Sequence, residues 1–246
     1  MELPPTHWSW LLAIRRPSAE KEAALTSLVE AYGLPVYLFI RQKGFDHWEA
    51  EDLAQGFFAK HLVSEGAFHR ADPARGRFRN FLLTCLCNYL ADHAKKKDQG
   101  PHVEIVSSIE KVVKAHSSVL RQRSEAPESV FRRAWFRGVL ERALSAYERE
   151  CREKGNQIHF ELLRDCIIRP CLDDAPRPAR EELARRYNLT EKQVSNRLLA
   201  ARHAYQRLIR AELMRYTSSA AELRSEERAL SSVIKYLDDL KAGPGG

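Results

Sequence analysis

Long hydrophobic runs are missing from this 246-residue chain. The longest apolar stretch, Leu34 to Ile40, falls far short of the ~20 residues that a membrane-crossing helix needs. The mean hydropathy of -0.47 agrees, and both exclude an integral membrane protein. Export signals are equally scarce. No basic residue precedes the apolar Trp8–Ile14 run, no small-residue cleavage site follows it, and Arg15-Arg16 comes after it rather than before. The cytoplasm is the expected location, with no membrane partner.

Cysteine is too sparse and too irregular for a disulfide framework. Five occur, Cys85, Cys87, Cys151, Cys166 and Cys171, and no Cys/His set has zinc-site spacing. Cys85 and Cys87, two apart on a helix, point to nearly opposite sides, so buried or inert thiols are expected. His61 lies on an apolar face and reads as a core residue. There is no phosphate-cradling glycine loop, no His-Glu-x-x-His, no Gly-x-Ser-x-Gly and no metal-type carboxylate cluster, so neither an enzyme nor a cofactor is expected. Alternating strand patterns, repeats and low-complexity tracts are also wanting.

What remains is charged and helical. Hydrophobic residues make up 44% and charged residues 30%, which is enough apolar material for buried cores. Forty Lys+Arg stand against 33 Asp+Glu, a formal +7, and the balance suits a polyanionic partner. Ala24, Leu28, Tyr32, Val36, Phe39 and Ile40 form a helical stripe with a bend expected at Pro35. Asp46 is a candidate N-cap for a helix that turns Ala50, Leu53, Ala54, Phe57, His61 and Leu62 inward. A turn-rich segment leads to a third helix burying Phe78, Phe81, Leu82, Cys85, Tyr89 and Leu90 and ending in Lys95-Lys96-Lys97. Asp98 to Pro101 stops it and opens a connector, within which Val103–Leu120 is a marginal helix. A second unit starts near Glu128, with Val130, Ala134, Val139, Leu140, Leu144 and Tyr147 on one helix and Phe160, Leu163 and Ile167 on the next. A last amphipathic stretch carries Leu223, Leu230, Val233, Ile234 and Leu237. The fold class is therefore all-α, with two small helical domains, a linker and a C-terminal helix: 1–97, 98–127, 128–216 and 217–246.

Residues 180–210 carry a helix-turn-helix pattern. Glu181–Tyr187 is a short helix with Leu183 and Ala184 inward. Asn188-Leu189 makes the turn, because asparagine tolerates left-handed geometry. Thr190-Glu191-Lys192-Gln193 is a capping box that starts a second helix over Val194 and Leu198. Lys192, Gln193, Asn196 and Arg197 are placed to reach base edges or phosphates, and Arg202 is the candidate for a backbone contact farther along. Nine Lys/Arg against four Asp/Glu between 180 and 216 concentrate positive charge there.

The N-terminal unit has two faces of opposite sign. Asp52 and Gln55 share a polar face opposite Leu53 and Phe57. Asn80, Thr84, Asn88 and Asp92 recur every four residues along the third helix. Seven Lys/Arg oppose two Asp over 69–97, whereas three oppose five Asp/Glu over 41–68. Asp92 reads as structural, since a carboxylate facing DNA would repel it.

Asp52-Leu53-Ala54-Gln55-Gly56-Phe57-Phe58 is similar to the D-L-x-Q-x-x-F of region 2.2 in sigma-70-type transcription initiation factors of the extracytoplasmic-function group. Phe81, Leu82, Cys85, Asn88, Asp92 and Lys95 fall in register with region 2.4 of that group. Val194-Ser195-Asn196-Arg197-Leu198-Leu199-Ala200-Ala201-Arg202 resembles its region 4.2. The likeness covers about 20–97 and 130–212 and lies in the order of the motifs more than in any one of them. It departs from the family pattern at Ser195, where the family has Lys, and at Ala200, where the family has Arg.

The resemblance implies a sigma factor, with no chemistry of its own, that directs RNA polymerase to promoters. Asp52, Gln55 and Phe58 would dock on the beta-prime clamp helices of core RNA polymerase, with the beta subunit as a further partner. Arg77, Arg79, Asn80, Thr84 and Asn88 would recognise and melt the −10 element of promoter DNA, with Lys95 and Lys96 on phosphates. The helix-turn-helix would read the −35 element. An anti-sigma or other inhibitory protein would be a regulatory partner. Two readings outside this one stay open: a helix-turn-helix regulator independent of polymerase, and a sigma-like protein-interaction adaptor.

Overall fold

The computed structural model describes residues 19–60, 77–95, 126–172, 175–217 and 219–230, side chains at 19–25, 95 and 171–172 excepted. All its regular elements are helical, as the sequence leads one to expect: α1 (Ala19–Gln42), α2 (His47–Phe58), α3 (Phe78–Lys95), α4 (Pro127–Glu153), α5 (Gln157–Leu163), α6 (Arg169–Leu172), α7 (Arg180–Tyr187), α8 (Glu191–Met214) and α9 (Ala220–Ala229). The chain divides into two compact units, residues 1–138 with 215–218, and residues 139–214 with 219–246. The connector after Pro101, the N-terminal Trp8–Ile14 run, His61, Leu62, Lys96 and the Val233–Leu237 stripe lie outside the described residues. Among the described residues, no helix is long and apolar enough to cross a membrane.

The first unit is built around α1. Every residue from Ala31 to Ile40 is buried, and helices apolar all round belong in a core. Pro35 lies inside this helix, which continues through it to Gln42. Its missing N–H leaves one backbone bond unmade, a loss that apolar contacts on every side offset. Tyr32 contacts the rings of Phe78, Phe131 and Tyr216, joining α1 to α3, to the first turns of α4 and to the residues after α8. Trp135 packs edge-on to Tyr216. Phe131 and Trp135 add two fully buried rings to the expected inward set of α4.

Asp46 caps α2 as expected, and the cap is reciprocal. Its carboxylate accepts the Glu49 N–H at 2.9 Å, while the Glu49 side chain accepts the Asp46 N–H at 3.1 Å. Ala50, Leu53, Ala54 and Phe57 are buried as the periodicity requires, and Phe58 and Glu51 join them. On α3, Leu82, Leu86 and Leu90 form the buried row, while Phe81 and Tyr89 are only half-buried.

The second unit wraps α8, a 24-residue helix, with the later turns of α4 and with α5, α7 and α9. Val194, Ala201, Tyr205, Ile209 and Leu213 form its buried side. The buried Tyr205 hydroxyl donates to the Leu140 carbonyl at 2.9 Å, and Arg142 Nε meets the mostly buried Glu212 at 2.6 Å. Ser219 caps α9 by accepting the Glu222 N–H. Cys85, Cys151 and Cys166 are buried, whereas Cys87 is exposed, as the opposite facing of 85 and 87 implies. Burial pushes the Cys166 thiol up to about 11.

Gly56 sets the approach of α2 to α3. A Cβ there would lie 2.5 Å from the Tyr89 hydroxyl but 3.7 Å from its ring carbon. Gly56→Ala alone should therefore destabilise the chain by about 1–3 kcal/mol through overpacking. In a Tyr89→Phe background the same change should stabilise by up to about 1 kcal/mol, since alanine is the better helix former. Urea midpoints of the four-member cycle measure this, and additive effects would contradict the close contact.

Candidate nucleic-acid interface

The helix-turn-helix forms through three local devices. Glu181–Arg185 and Glu182–Arg186 pair at i,i+4 along α7 with the acid on the N-terminal side, the favourable order. Asn188 adopts φ 51 and ψ 50, the left-handed conformation expected of it. Its N–H reaches Arg185 O, and the Leu189 N–H reaches Ala184 O at 2.9 Å, so α7 ends in a Schellman arrangement with asparagine at the left-handed position. Thr190 then opens α8 with the expected capping box. The Gln193 N–H donates to Thr190 Oγ1 at 3.2 Å, and the Thr190 N–H donates to Gln193 Oε1 at 2.8 Å.

A buried carboxylate anchors this motif from behind. α5 runs into a π-helical segment, Arg164–Ile168, in which the Arg169 N–H bonds back to Arg164 O. Asp165 lies in this segment and is buried, where Arg186 of α7 meets it at 3.1 Å and Arg164 at 3.2 Å. Arg169 lies at 3.6 Å. Tyr187 beside it has its hydroxyl pKa raised by burial and by the charge of Asp165.

The exposed side of α8 carries Lys192, Asn196, Leu199 and His203, three or four residues apart. Lys192 makes no ion pair among the described residues. Arg197 is half-buried. Gln193 is exposed, but its amide oxygen is taken by the cap, which leaves only the NH₂ to face outward. A bidentate grip on adenine needs both ends of the amide, and here the oxygen already accepts the Thr190 N–H. Arg202 is not a surface cation. It is 3% exposed, because it follows Leu198 by four residues and precedes Tyr205 by three, on the inward side of the helix. Leu199 and His203 on the outward side were absent from the sequence-derived set.

In the first unit, Asn80, Thr84 and Asn88 form an exposed row along α3, and Thr84 Oγ1 donates to Asn80 O at 3.0 Å. Asp92 pairs with Lys60 at 4.0 Å. Arg77 is half-buried, and Lys95 is placed as helical backbone only. Arg79 is 6% exposed, with its guanidinium 5.0 Å from the Trp135 ring centroid and 5.3 Å from that of Phe136. It therefore packs inside the unit rather than meeting DNA. Its spacing of three, seven and eleven from Leu82, Leu86 and Leu90 puts it on the buried row. On α2, Asp52 is exposed and Gln55 half-exposed, whereas Phe58 is 0% exposed and belongs to the core beside Ala54. Phe58 is thus a core residue and not part of the exposed side of α2. The exposed aromatic of that helix is instead Trp48, which periodicity alone gives no reason to single out.

No group of His, Cys, Asp and Glu among the described residues is arranged to hold a metal ion. No protein-family model, curated protein sequence or solved structure matches the chain.

The His159 ring on α5 is half-buried, and its pKa is lowered from 6.5 by burial and by the nearby Arg197. Below pH 6.5 the unfolded chain binds a proton that the folded chain resists, so stability falls with pH from about 6.5 down to the depressed value. His159→Gln should flatten that part of the profile and leave the slope above pH 7 unchanged. Urea midpoints of both proteins between pH 5 and 8 measure the difference, and parallel profiles would contradict the assignment.

Proposed function

We propose that the chain is a sigma factor of the extracytoplasmic-function type, which joins core RNA polymerase to promoter DNA. The observation that carries the DNA-binding half is the helix-turn-helix of α7 and α8, closed on one side of its turn by Asn188 and on the other by the Thr190–Gln193 box. A sigma factor is favoured over a polymerase-independent regulator by the first unit. There α2 offers Asp52 and Gln55, α3 offers Asn80, Thr84 and Asn88, and a plain repressor leaves both rows without use.

On this reading α8 lies in the major groove of the −35 element. Asn196 supplies a full amide to base edges, and Lys192 neutralises phosphate. The α3 row holds unpaired bases of the −10 element by hydrogen bonds from short polar side chains, and the loss of stacking is offset by that capture. Asp52 and Gln55 face the polymerase clamp helices, with Phe58 and Leu53 packed beneath them.

Run-off transcription with purified core polymerase and a promoter-containing template library tests the whole reading. The expected result is start sites that appear only when both the chain and core enzyme are present. Specific DNA binding without any transcription would favour the regulator, and polymerase binding without start-site selection the adaptor.

Substitutions separate surface from interior cations. Lys192→Ala should reduce the slope of log affinity against log salt by about 0.9. Asn196→Ala should cost about 1–3 kcal/mol on the preferred site and relax specificity there. Arg79→Ala and Arg202→Ala should lower the melting temperature and leave the salt slope unchanged. A reduced slope for Arg202→Ala would place that guanidinium on DNA after all.

A further inference from the structure

The start of α2 is arranged the wrong way round for stability alone. Trp48, at 74% exposure, is the most exposed large hydrophobic residue among the described residues, while Glu51, three positions on, is 8% exposed. A buried carboxylate and a projecting indole on one turn of helix are both unfavourable unless something else uses them.

The indole is also held in place. The His47 and Trp48 ring centroids are 5.0 Å apart. His47 in turn is fixed from below, with Nδ1 2.9 Å from the buried Tyr37 hydroxyl and Nε2 3.9 Å from Glu51. Tyr37 and Glu51 thus set the His47 ring against which Trp48 rests. Trp48, Asp52 and Gln55 fall at i, i+4 and i+7, on one face of α2. Residues 46–58 contain Asp46, Glu49, Glu51 and Asp52 and no Lys or Arg.

We infer that Trp48 is the anchor of the α2 docking face, and that its occupant is a partner helix presenting arginine. A guanidinium stacks on an exposed indole face, and a carboxylate four residues along can accept its N–H groups; lysine matches this pairing less well. Tryptophan and arginine dominate interface hot spots, and a residue already held in its bound orientation loses little freedom on binding. The inference rests on the proposed function, under which that helix belongs to the polymerase clamp, and it adds the residue and the side-chain chemistry that hold it.

The test measures affinity of the full chain for core RNA polymerase, with wild type, Trp48→Ala and Tyr37→Phe compared at matched folding. Trp48→Ala should weaken binding by about tenfold or more with an unchanged melting temperature, because the indole supports little of the core. Tyr37→Phe lacks a hydroxyl that no partner can touch, so weaker binding there reports the presentation of His47 and Trp48. Equal affinity of wild type and Trp48→Ala would overturn the anchor and leave the sigma reading standing. No binding by wild type would remove both. Dimers in sedimentation equilibrium that Trp48→Ala abolishes would make the occupant a second copy and overturn the arginine-helix assignment. Loss in Trp48→Ala but none in Tyr37→Phe would keep the anchor and overturn its support by His47.

Discussion

A helix can offer polar side chains to a partner only if its other side is held, and every candidate interface helix in this chain meets that condition within its own unit. α8 is held by Val194, Ala201, Tyr205, Ile209 and Leu213, and by the Tyr205 hydroxyl on the Leu140 carbonyl. α3 is held by Leu82, Leu86 and Leu90 beneath the Asn80–Asn88 row. Around α2 the hold is closest, because Gly56 has no Cβ where the Tyr89 hydroxyl sits. α2, at 12 residues, would be marginal alone in water, so tertiary packing supplies most of its order.

Charge obeys the same division. The formal surplus of +7 overstates what a polyanion would meet, since several cations are buried or paired with carboxylates. Arg79 lies against Trp135 and Phe136, Arg202 is buried in α8, and Arg186 ties α7 to Asp165. Arg207 and Arg210 are paired with Glu150 and Glu227. These arginines shape the surfaces, while Lys192 offers its charge outward. Arginine suits the interior role because its planar group stacks on rings and meets carboxylates with several donors at once. The Asp165 cluster shows the carboxylate half of such a pairing: one buried side chain near the end of α5 is met by Arg164 and by Arg186 of α7.

How much of this was legible in the sequence follows the range of the interaction concerned. Asn188 and the Thr190–Gln193 box are decided within a few residues, and both stand as the sequence reads. The same holds for Asp46 as a cap, whose reciprocal partner Glu49 stands three residues on. Arg79 and Arg202 are legible too, since each occupies the apolar period of its helix despite its charge. Phe58 likewise carries the period of Ala54. By contrast, the Asp165–Arg186 tie spans twenty-one residues and joins two helices, a pairing that no local periodicity announces. Trp48 had no signal beyond its type, because an exposed tryptophan and a buried one look alike until the opposite face is known.

The two departures from the sigma-factor pattern on α8 are not equivalent. Ser195 is half-buried beside Val194, so a lysine there would have to reach around the helix to touch phosphate. Ala200 is exposed, and an arginine in its place would stand in solvent with the DNA-facing residues. Under the proposed function, the loss at 200 therefore removes a true phosphate contact, while that at 195 removes a weaker one. On the same proposal, with the Gln193 oxygen engaged in its cap, groove recognition would fall chiefly to Asn196, Lys192, Leu199 and His203. A reader this lean holds its site weakly by itself. If the proposed function holds, occupancy would depend on the effective concentration supplied by tethering it to a second DNA-contacting unit and to polymerase, so that the charge missing from α8 is compensated through linkage rather than through contact.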